Sequence, residues 1–83
     1  MVAMATFRLR HRHRAEECPV CFAAWRGFQS PLRHRPTHGG CQFGVHEWWW
    51  DVQADNAEDA LALLPPFVAK RTEAVPIGEV SIP

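Results

Sequence analysis

The segment Thr6–Arg14 reads TFRLRHRHR and alternates strictly between two kinds of side chain. Phe7, Leu9, His11 and His13 fall on one side, and four arginines fall on the other. A period of two residues is typical of a β-strand that has one covered face and one face in water. We therefore predict a strand here, and the rest of the chain must cover its apolar side and supply acidic partners for its arginines.

A second strand is predicted over residues 45–54, which read VHEWWWDVQA. Its alternation puts one set of residues on the covered face, namely His46, Trp48, Trp50 and Val52. The acids on the other face would pair with the arginines of the first strand, at about 0.2–1 kcal/mol for each cross-strand pair. Trp49 would lie on that same uncovered face, so we expect the face to form the interface of a homodimer or higher homo-oligomer.

Two further patterns predict helices. Pro19 suits the first turn of a helix, where its missing N–H costs nothing, and apolar residues then recur at helical spacing: Cys21, Ala24, Trp25 and Phe28. The second helix would begin at a cap formed by Asp55 or Asn56 and would end or kink at Pro65-Pro66. Its buried stripe would be Ala60, Leu61, Leu64 and Phe67, and residues 67–71 could add another turn after the prolines.

Two shorter strands complete the predicted order. One spans residues 38–42, before a Phe43-Gly44 turn, and the other runs over residues 75–82. The order β-α-β-β-α-β predicts an α+β fold of ferredoxin-like topology, with two helices on one face of an antiparallel sheet, formed by a single domain over residues 1–83. In that topology the first strand lies between the third and the fourth. Ile77 would belong to the covered face, and Glu79 would face the arginines.

Charge and hydropathy narrow the classes of function. Residues 1–38 hold seven arginines against two glutamates, and residues 39–83 hold two basic residues against seven acids. This balance favours pairing between the two halves over a nucleic-acid partner. No apolar run approaches the roughly 20 residues of a membrane span, and the N-terminus lacks the pattern of a secretory signal. We therefore expect a cytoplasmic protein with no membrane partner and no structural disulfide.

The C-terminal half carries a set of short motifs: Gly44, Trp50-Asp51-Val52, Asp55, Ala60-Leu61 and Leu63-Leu64-Pro65-Pro66-Phe67. This pattern resembles the C-terminal half of muconolactone isomerase-like proteins over roughly residues 44–77. The resemblance implies a dimeric α+β barrel with small-molecule pockets, a group that includes isomerases, cyclases, monooxygenases and proteins without known activity. The N-terminal half does not match that family, so no catalytic residue is carried over.

The reactive side chains form the candidate site. The ferredoxin-like topology places them all at one end of the sheet: His11, His13, Cys18, Cys21, Cys41 and His46. Thiolates and imidazoles are the usual zinc ligands. One hypothesis is therefore a zinc site formed by Cys18, Cys21 and Cys41, with His46 or His13 as the fourth ligand. Bound metal would stabilise a domain of this size.

A second hypothesis is a pocket for a small organic ligand at the same end of the sheet, lined by Trp48 and Trp50 together with His46 and with His11 or His13. Arg33 and Arg35, in the loop over residues 30–36, would bind an anionic group of that ligand. In that case His46, His13 or His11 would serve as a general acid or base. The chain would then be a small ligand-binding protein of the dimeric α+β barrel type. Whether it is also an isomerase-like enzyme stays open at this point.

Two further interpretations concern the cysteines. Cys18 and Cys21 frame a CPVC step that is compatible with a redox pair, although the neighbouring Glu16 and Glu17 oppose a lowered thiol pKa. Alternatively, the chain is an accessory protein without chemistry. Its cysteines would then be small buried apolar residues, and its histidines would be hydrogen-bonded or exposed.

Overall fold

The two alternating segments form the centre of one sheet. The computed structural model describes residues 4–83 as an α+β structure whose strands and α-helices are, in chain order, β1 (Ala5–Arg12), α1 (Cys18–Ala23), β2 (His38–Gly40), β3 (Val45–Ala54), α2 (Ala57–Leu61), α3 (Pro66–Ala69) and β4 (Thr72–Ile77). The sheet is antiparallel with the order β2-β3-β1-β4. Strand β1 therefore lies between β3 and β4, as predicted. Within residues 4–83, no helix has the length and apolar character of a membrane span.

The register between β1 and β3 gives the sheet its two unlike faces. Phe7 lies opposite Val52, and Arg8 lies opposite Asp51. On the charged face, the Arg8 guanidinium donates to both carboxylate oxygens of Asp51, at 2.8 and 2.9 Å, and Arg10 Nε donates to Glu47 at 3.0 Å. These pairs are exposed to solvent, so each contributes little to stability. They fix the register more than they stabilise the sheet.

The helices cover the other face of the sheet. The buried core joins residues of β1 and β3 to residues of α2, α3 and their connection: Phe7, Leu9, Val52, Ala54, Ala60, Leu64 and Val68. Ala24 and Trp25, which follow α1, pack against this core from the same side. Removing an aliphatic side chain of this size from water contributes roughly 1.5–3 kcal/mol, so the covered face supplies most of the stability.

The helix boundaries follow local signals. Pro19 occupies the first turn of α1. Asn56 caps α2, because its side-chain oxygen accepts a hydrogen bond from the backbone N–H of Asp59 at 2.8 Å. Pro65 and Pro66 lack the N–H groups that would continue α2, and α3 begins at Pro66 instead. The second predicted helix is therefore two short helices, and three α-helices take the place of two.

The predicted last strand is wrong in its position. The observed strand, β4, begins at Thr72 and ends at Ile77. Val80 and Ile82, which follow it, are 81% and 83% exposed. Ile77 pairs with Thr6, which puts it on the arginine face, while Ala74 pairs with Leu9 on the covered face. Glu79 lies outside the strand and takes no part in the cross-strand pairs. The pairing with β1 thus reverses the predicted faces, because a shift of the register by one residue exchanges the two faces.

Strand β2 is shorter than the strand predicted over residues 38–42. It ends at Gly40, and Cys41–Phe43 form a 3₁₀ turn that leads into Gly44. Gly44 has φ of 84°, a left-handed conformation that favours glycine. Cys41 belongs to this turn and not to the strand. The direction of its side chain is therefore not set by the alternation of faces along β2.

Candidate metal centre

Four side chains from four separate segments meet at one end of the sheet. His13 follows β1, Cys18 begins α1, Cys41 follows β2, and His46 is the second residue of β3. One donor atom of each lies within 4.8 Å of the donor atoms of the other three. Strands β1 and β2 end, and β3 begins, at this end of the sheet. The topology therefore brings the four together, as the sequence analysis expected.

Local backbone contacts hold the segment between β1 and α1. The His13 N–H donates to the His46 carbonyl at 3.1 Å, which continues the pairing of β1 with β3 beyond the strand. The Arg14 N–H donates to the Glu17 carboxylate at 2.9 Å, and the guanidinium of Arg71 donates to the same side chain at 2.9 Å. Cys18 is thereby fixed at the start of α1, directly beside His13.

The distances place His13 and Cys18 side by side in the middle of the group. His13 Nε2 lies 3.0 Å from Cys18 Sγ and 3.5 Å from Cys41 Sγ. His46 Nδ1 lies 3.2 Å from Cys18 Sγ. Cys18, Cys41 and His46 are partly exposed, whereas His13 is buried. The centre therefore lies at the rim of the domain, with one ligand on its inner side.

His11 fixes which nitrogen of His13 carries the proton. His11 Nδ1 lies 3.2 Å from the Val68 carbonyl, which can only accept, and 3.1 Å from the Thr72 hydroxyl, whose own hydrogen goes to that carbonyl. His11 Nδ1 must therefore donate, and neutral His11 accepts at Nε2 from His13 Nδ1–H at 2.9 Å. The Nε2 lone pair of His13 is thus left facing Cys18 and Cys41.

Burial keeps both inner histidines neutral. It lowers the pKa of His11 to about 4, against the opposing effect of the hydrogen bond to Val68. Burial, and then the nearby His46, lower the pKa of His13. A neutral imidazole is the form that binds a metal ion. His11 gains a proton only near its lowered pKa of about 4. It is therefore not favoured as a general acid or base near neutral pH.

The thiols of Cys18 and Cys21 keep their protons near neutral pH in the protein without metal. Burial, and then a hydrogen bond with Cys41, raise the pKa of Cys18. All three cysteines are free. The CPVC step has no feature of an activated redox pair, because a reactive thiol needs a lowered pKa.

Cys21 lies apart from the four-residue group. Its buried Sγ is 3.7 Å from His11 Nε2, and burial raises its pKa to about 11. It forms a second close group with His11 and His13, but His11 donates at Nδ1 and its Nε2 already accepts from His13. The structure thus separates the CPVC cysteines: Cys18 joins His13, Cys41 and His46, and Cys21 lies one layer deeper.

Trp48 forms the wall behind the centre. Its ring stacks on His11 with 5.0 Å between ring centroids and meets the ring of His13 edge-on at 5.1 Å. Gly39 and Gly40 pass close to this wall, since a Cβ on Gly39 would lie 2.7 Å from Trp48 and one on Gly40 would lie 2.7 Å from the Val45 carbonyl. The two glycines therefore let the chain reach Cys41 without displacing β3.

An open groove of about 620 Å³ lies on the other side of Trp48. Some of the residues predicted for the organic-ligand pocket line it, namely Arg33, Arg35, Trp48 and Trp50, and so does Cys41. His46, His13 and His11, the predicted acid–base residues, do not line it within the described part of the chain. The metal-site hypothesis and the ligand-pocket hypothesis thus correspond to two neighbouring sites. Cys41 and Trp48 lie at both of them.

Sequence reasoning missed the positioning role of His11. The His-x-His step in an alternating strand is a signal for two imidazoles on one covered face, and it could have suggested that they contact each other. The partners of His11, the Val68 carbonyl and Thr72, had no sequence signal, because they depend on where β4 begins.

Comparison with known proteins assigns nothing to this geometry. No protein-family model matches the chain, and no match was found among curated proteins or solved structures. The site is therefore interpreted from its own residues.

Proposed function

We propose that this protein is a zinc-binding domain in which His13 Nε2, Cys18 Sγ, Cys41 Sγ and His46 Nδ1 hold one Zn²⁺ ion. The observation that carries the proposal is the approach of these four donor atoms to within 4.8 Å of one another. The pair of thiols with a pair of imidazoles is a common tetrahedral zinc set.

The observed separations are near those that zinc requires. With Zn–S of about 2.3 Å and Zn–N of about 2.0–2.1 Å, a tetrahedral site separates sulfur from nitrogen by about 3.6 Å. His13 Nε2 to Cys41 Sγ is 3.5 Å, and the other two measured sulfur–nitrogen distances are 3.0 and 3.2 Å. These three separations lie within about 0.6 Å of the tetrahedral value, and the donor atoms of the remaining pairs lie within 4.8 Å of one another.

The hydrogen bonds behind His13 favour the same assignment. Metal-bound histidines usually donate their second ring N–H to a partner, which fixes the tautomer and the ring orientation. His13 Nδ1–H donates to His11, and His11 in turn donates to Val68 and Thr72. His13 is therefore held ready for metal in the tautomer that exposes Nε2.

A structural role for the metal follows from the ligand count. Four protein ligands leave no coordination position open for water or substrate, which is the usual distinction between structural and catalytic zinc. The ion would link the end of β1, the start of α1, the turn after β2 and the start of β3. Zinc at 100 times its dissociation constant would stabilise the domain by about 2.7 kcal/mol.

We also propose the ferredoxin-like arrangement for the chain as a whole. The central position of β1 and the antiparallel order β2-β3-β1-β4 support it. The muconolactone isomerase-like resemblance and the homodimer stay predictions. Trp49, on the face expected to form the interface, is partly exposed beside the Arg10–Glu47 ion pair.

The test is metal content in matched variants. Protein purified without chelators, and then supplied with zinc, is analysed by elemental mass spectrometry. We expect one zinc per chain in the wild type and none above background in Cys41→Ser. Cys21→Ala is the matched control, because it also removes a thiol but not a proposed ligand, and it should retain the ion.

Two results would overturn the proposal. One is a wild-type protein that takes up no zinc. The other is Cys41→Ser retaining the full stoichiometry while Cys21→Ala loses it, which would move the metal to the His11, His13 and Cys21 group. Circular dichroism of each variant in zinc separates loss of a ligand from loss of the fold.

A second function, the binding of a small organic molecule, is supported by the groove beside Trp48. Its volume of about 620 Å³ lies within the range of ligand sites, roughly 300–1,000 Å³. This function does not require the metal, since Trp48 and Trp50 line the groove and neither is a proposed zinc ligand.

A further inference from the structure

We propose that the groove binds a small aromatic carboxylate, with the ring against its tryptophans and the carboxylate on its arginines. This inference rests on the ligand-binding function proposed for the groove and names the chemical class of its ligand. Neither part of it depends on zinc.

The floor of the groove is aromatic. Trp25, Trp48 and Trp50 line it together with Phe22 and Leu32. The rings pack on one another, with centroids 5.9 Å apart for Trp25 and Trp50, and 6.0 Å apart for Trp48 and Trp50 in an edge-on arrangement. Such mutual packing holds the rings in place, and a planar aromatic ligand gains both burial and ring–ring contact against them.

The rim of the groove is cationic. Arg26, Arg33 and Arg35 line it, and no Asp or Glu of residues 4–83 does. The chain's other arginines all form ion pairs with acids: Arg8, Arg10, Arg12, Arg14 and Arg71. Within the described residues, those at the groove form none. Apart from Lys70, which also forms no ion pair within residues 4–83, the basic side chains without an acidic partner lie at the groove, where a guanidinium can bind a carboxylate bidentately.

Arg33 and Arg35 lie on an anchored loop. The Ser30 hydroxyl donates to the Leu63 carbonyl at 2.6 Å, and the Leu32 N–H donates back to that hydroxyl at 3.2 Å. At the other end, the Thr37 hydroxyl donates to the Trp49 carbonyl. Between these anchors His34 has φ of 67°, a left-handed conformation rarely adopted by residues other than glycine. The backbone of the loop is therefore held at both ends beside the tryptophans, which places Arg33 and Arg35 at the groove before an anion binds.

The experiment is isothermal titration calorimetry of the full chain with three probes. Naphthoate carries both the ring and the charge, naphthamide is its neutral analogue, and acetate is the charge without the ring. We expect naphthoate to bind at least about tenfold more tightly than either of the others, and its affinity to fall as salt is raised.

Matched variants test the arginines. In the double variant Arg33→Gln/Arg35→Gln, naphthoate affinity should fall about tenfold or more, because charged hydrogen bonds are lost. In the corresponding double lysine variant, the charge remains and the loss should be smaller. Arg8→Gln is the control on the opposite face of the sheet and should leave the affinity within about twofold of wild type. Near-ultraviolet circular dichroism verifies that each variant is folded.

Failure of the ligand class and failure of the binding function can be distinguished. Equal binding of naphthamide and naphthoate would overturn the aromatic carboxylate but leave a ligand groove. If neither naphthoate nor naphthamide binds, both the aromatic carboxylate and the ligand-binding function of the groove are overturned. Tighter binding of a short oligothymidylate than of naphthoate would also overturn the proposal, in favour of nucleic-acid binding through base stacking. Zinc content is measured independently of all these results.

Discussion

Replacing His11 with leucine isolates the contribution of a residue that would not touch the metal. The substitution leaves the four proposed ligands in place and removes the acceptor of His13 Nδ1–H, which lies 2.9 Å away. The Val68 carbonyl does not lose all its partners, because the Thr72 hydroxyl still donates to it at 2.7 Å. The principal cost therefore falls on His13, whose buried N–H has no acceptor in the zinc-bound form.

The expected magnitude follows from that single unsatisfied donor. Leaving a buried hydrogen-bonding group without its partner costs about 1–3 kcal/mol. This range is comparable to the 10–100-fold loss of metal affinity typical when an outer partner of a metal ligand is removed. We therefore expect His11→Leu to bind zinc about 10–100-fold more weakly than the wild type.

The assay is competition for zinc against a chromophoric chelator, with His38→Leu as control. His38 is exposed on β2 and is not in the ligand group, so this variant should bind like the wild type. A second readout is the His13 tautomer, observed by long-range ¹⁵N–¹H correlation in the zinc-free wild type, where we expect the proton on Nδ1. Zinc affinity of His11→Leu within about twofold of wild type, or a wild-type proton on Nε2, would contradict the hydrogen-bond argument.

Two further predictions concern the sheet. Gly40→Ala should lower the free energy of unfolding by about 1–3 kcal/mol, because its Cβ would lie 2.7 Å from a backbone carbonyl, whereas Gly78→Ala has open space around it and should change little in the same urea titration. Asp51→Asn should lose a stabilising ion pair at pH 7. The Arg8 side chain lowers the Asp51 pKa from its ordinary 3.8, so the pair contributes above that value and its contribution disappears as the pH falls through the lowered pKa. The difference in urea midpoint between wild type and Asp51→Asn should therefore shrink from pH 7 to pH 3, and a difference that grew instead would contradict the assignment.

The alternating strands could be predicted because their information is local. A period of two in β1 and β3 identifies the covered and charged faces, the Asn56 cap marks where α2 begins, and Pro65-Pro66 mark where α3 begins. The start of β4 could not be predicted in this way. Val75 and Ile77 look like inward-facing residues in isolation, but pairing with β1 places both on the arginine face. Register is set by the partner strand and not by the strand's own apolar pattern.

The candidate site, too, could be predicted only in part from the sequence. The amino-acid sequence by itself determined that six Cys and His side chains belong to one end of the sheet, because strand direction follows from element order. Only the tertiary structure decided which of them share a centre. Three residues of α1 rise about 4.5 Å, and the two-residue step from His11 to His13 rises about 6.6 Å. Helix α1 packs beside the end of β1. This packing brings Cys18 to His13 at the rim of the domain and Cys21 to His11 deeper inside it. Spacing along the chain pairs Cys18 with Cys21; packing between elements separates them.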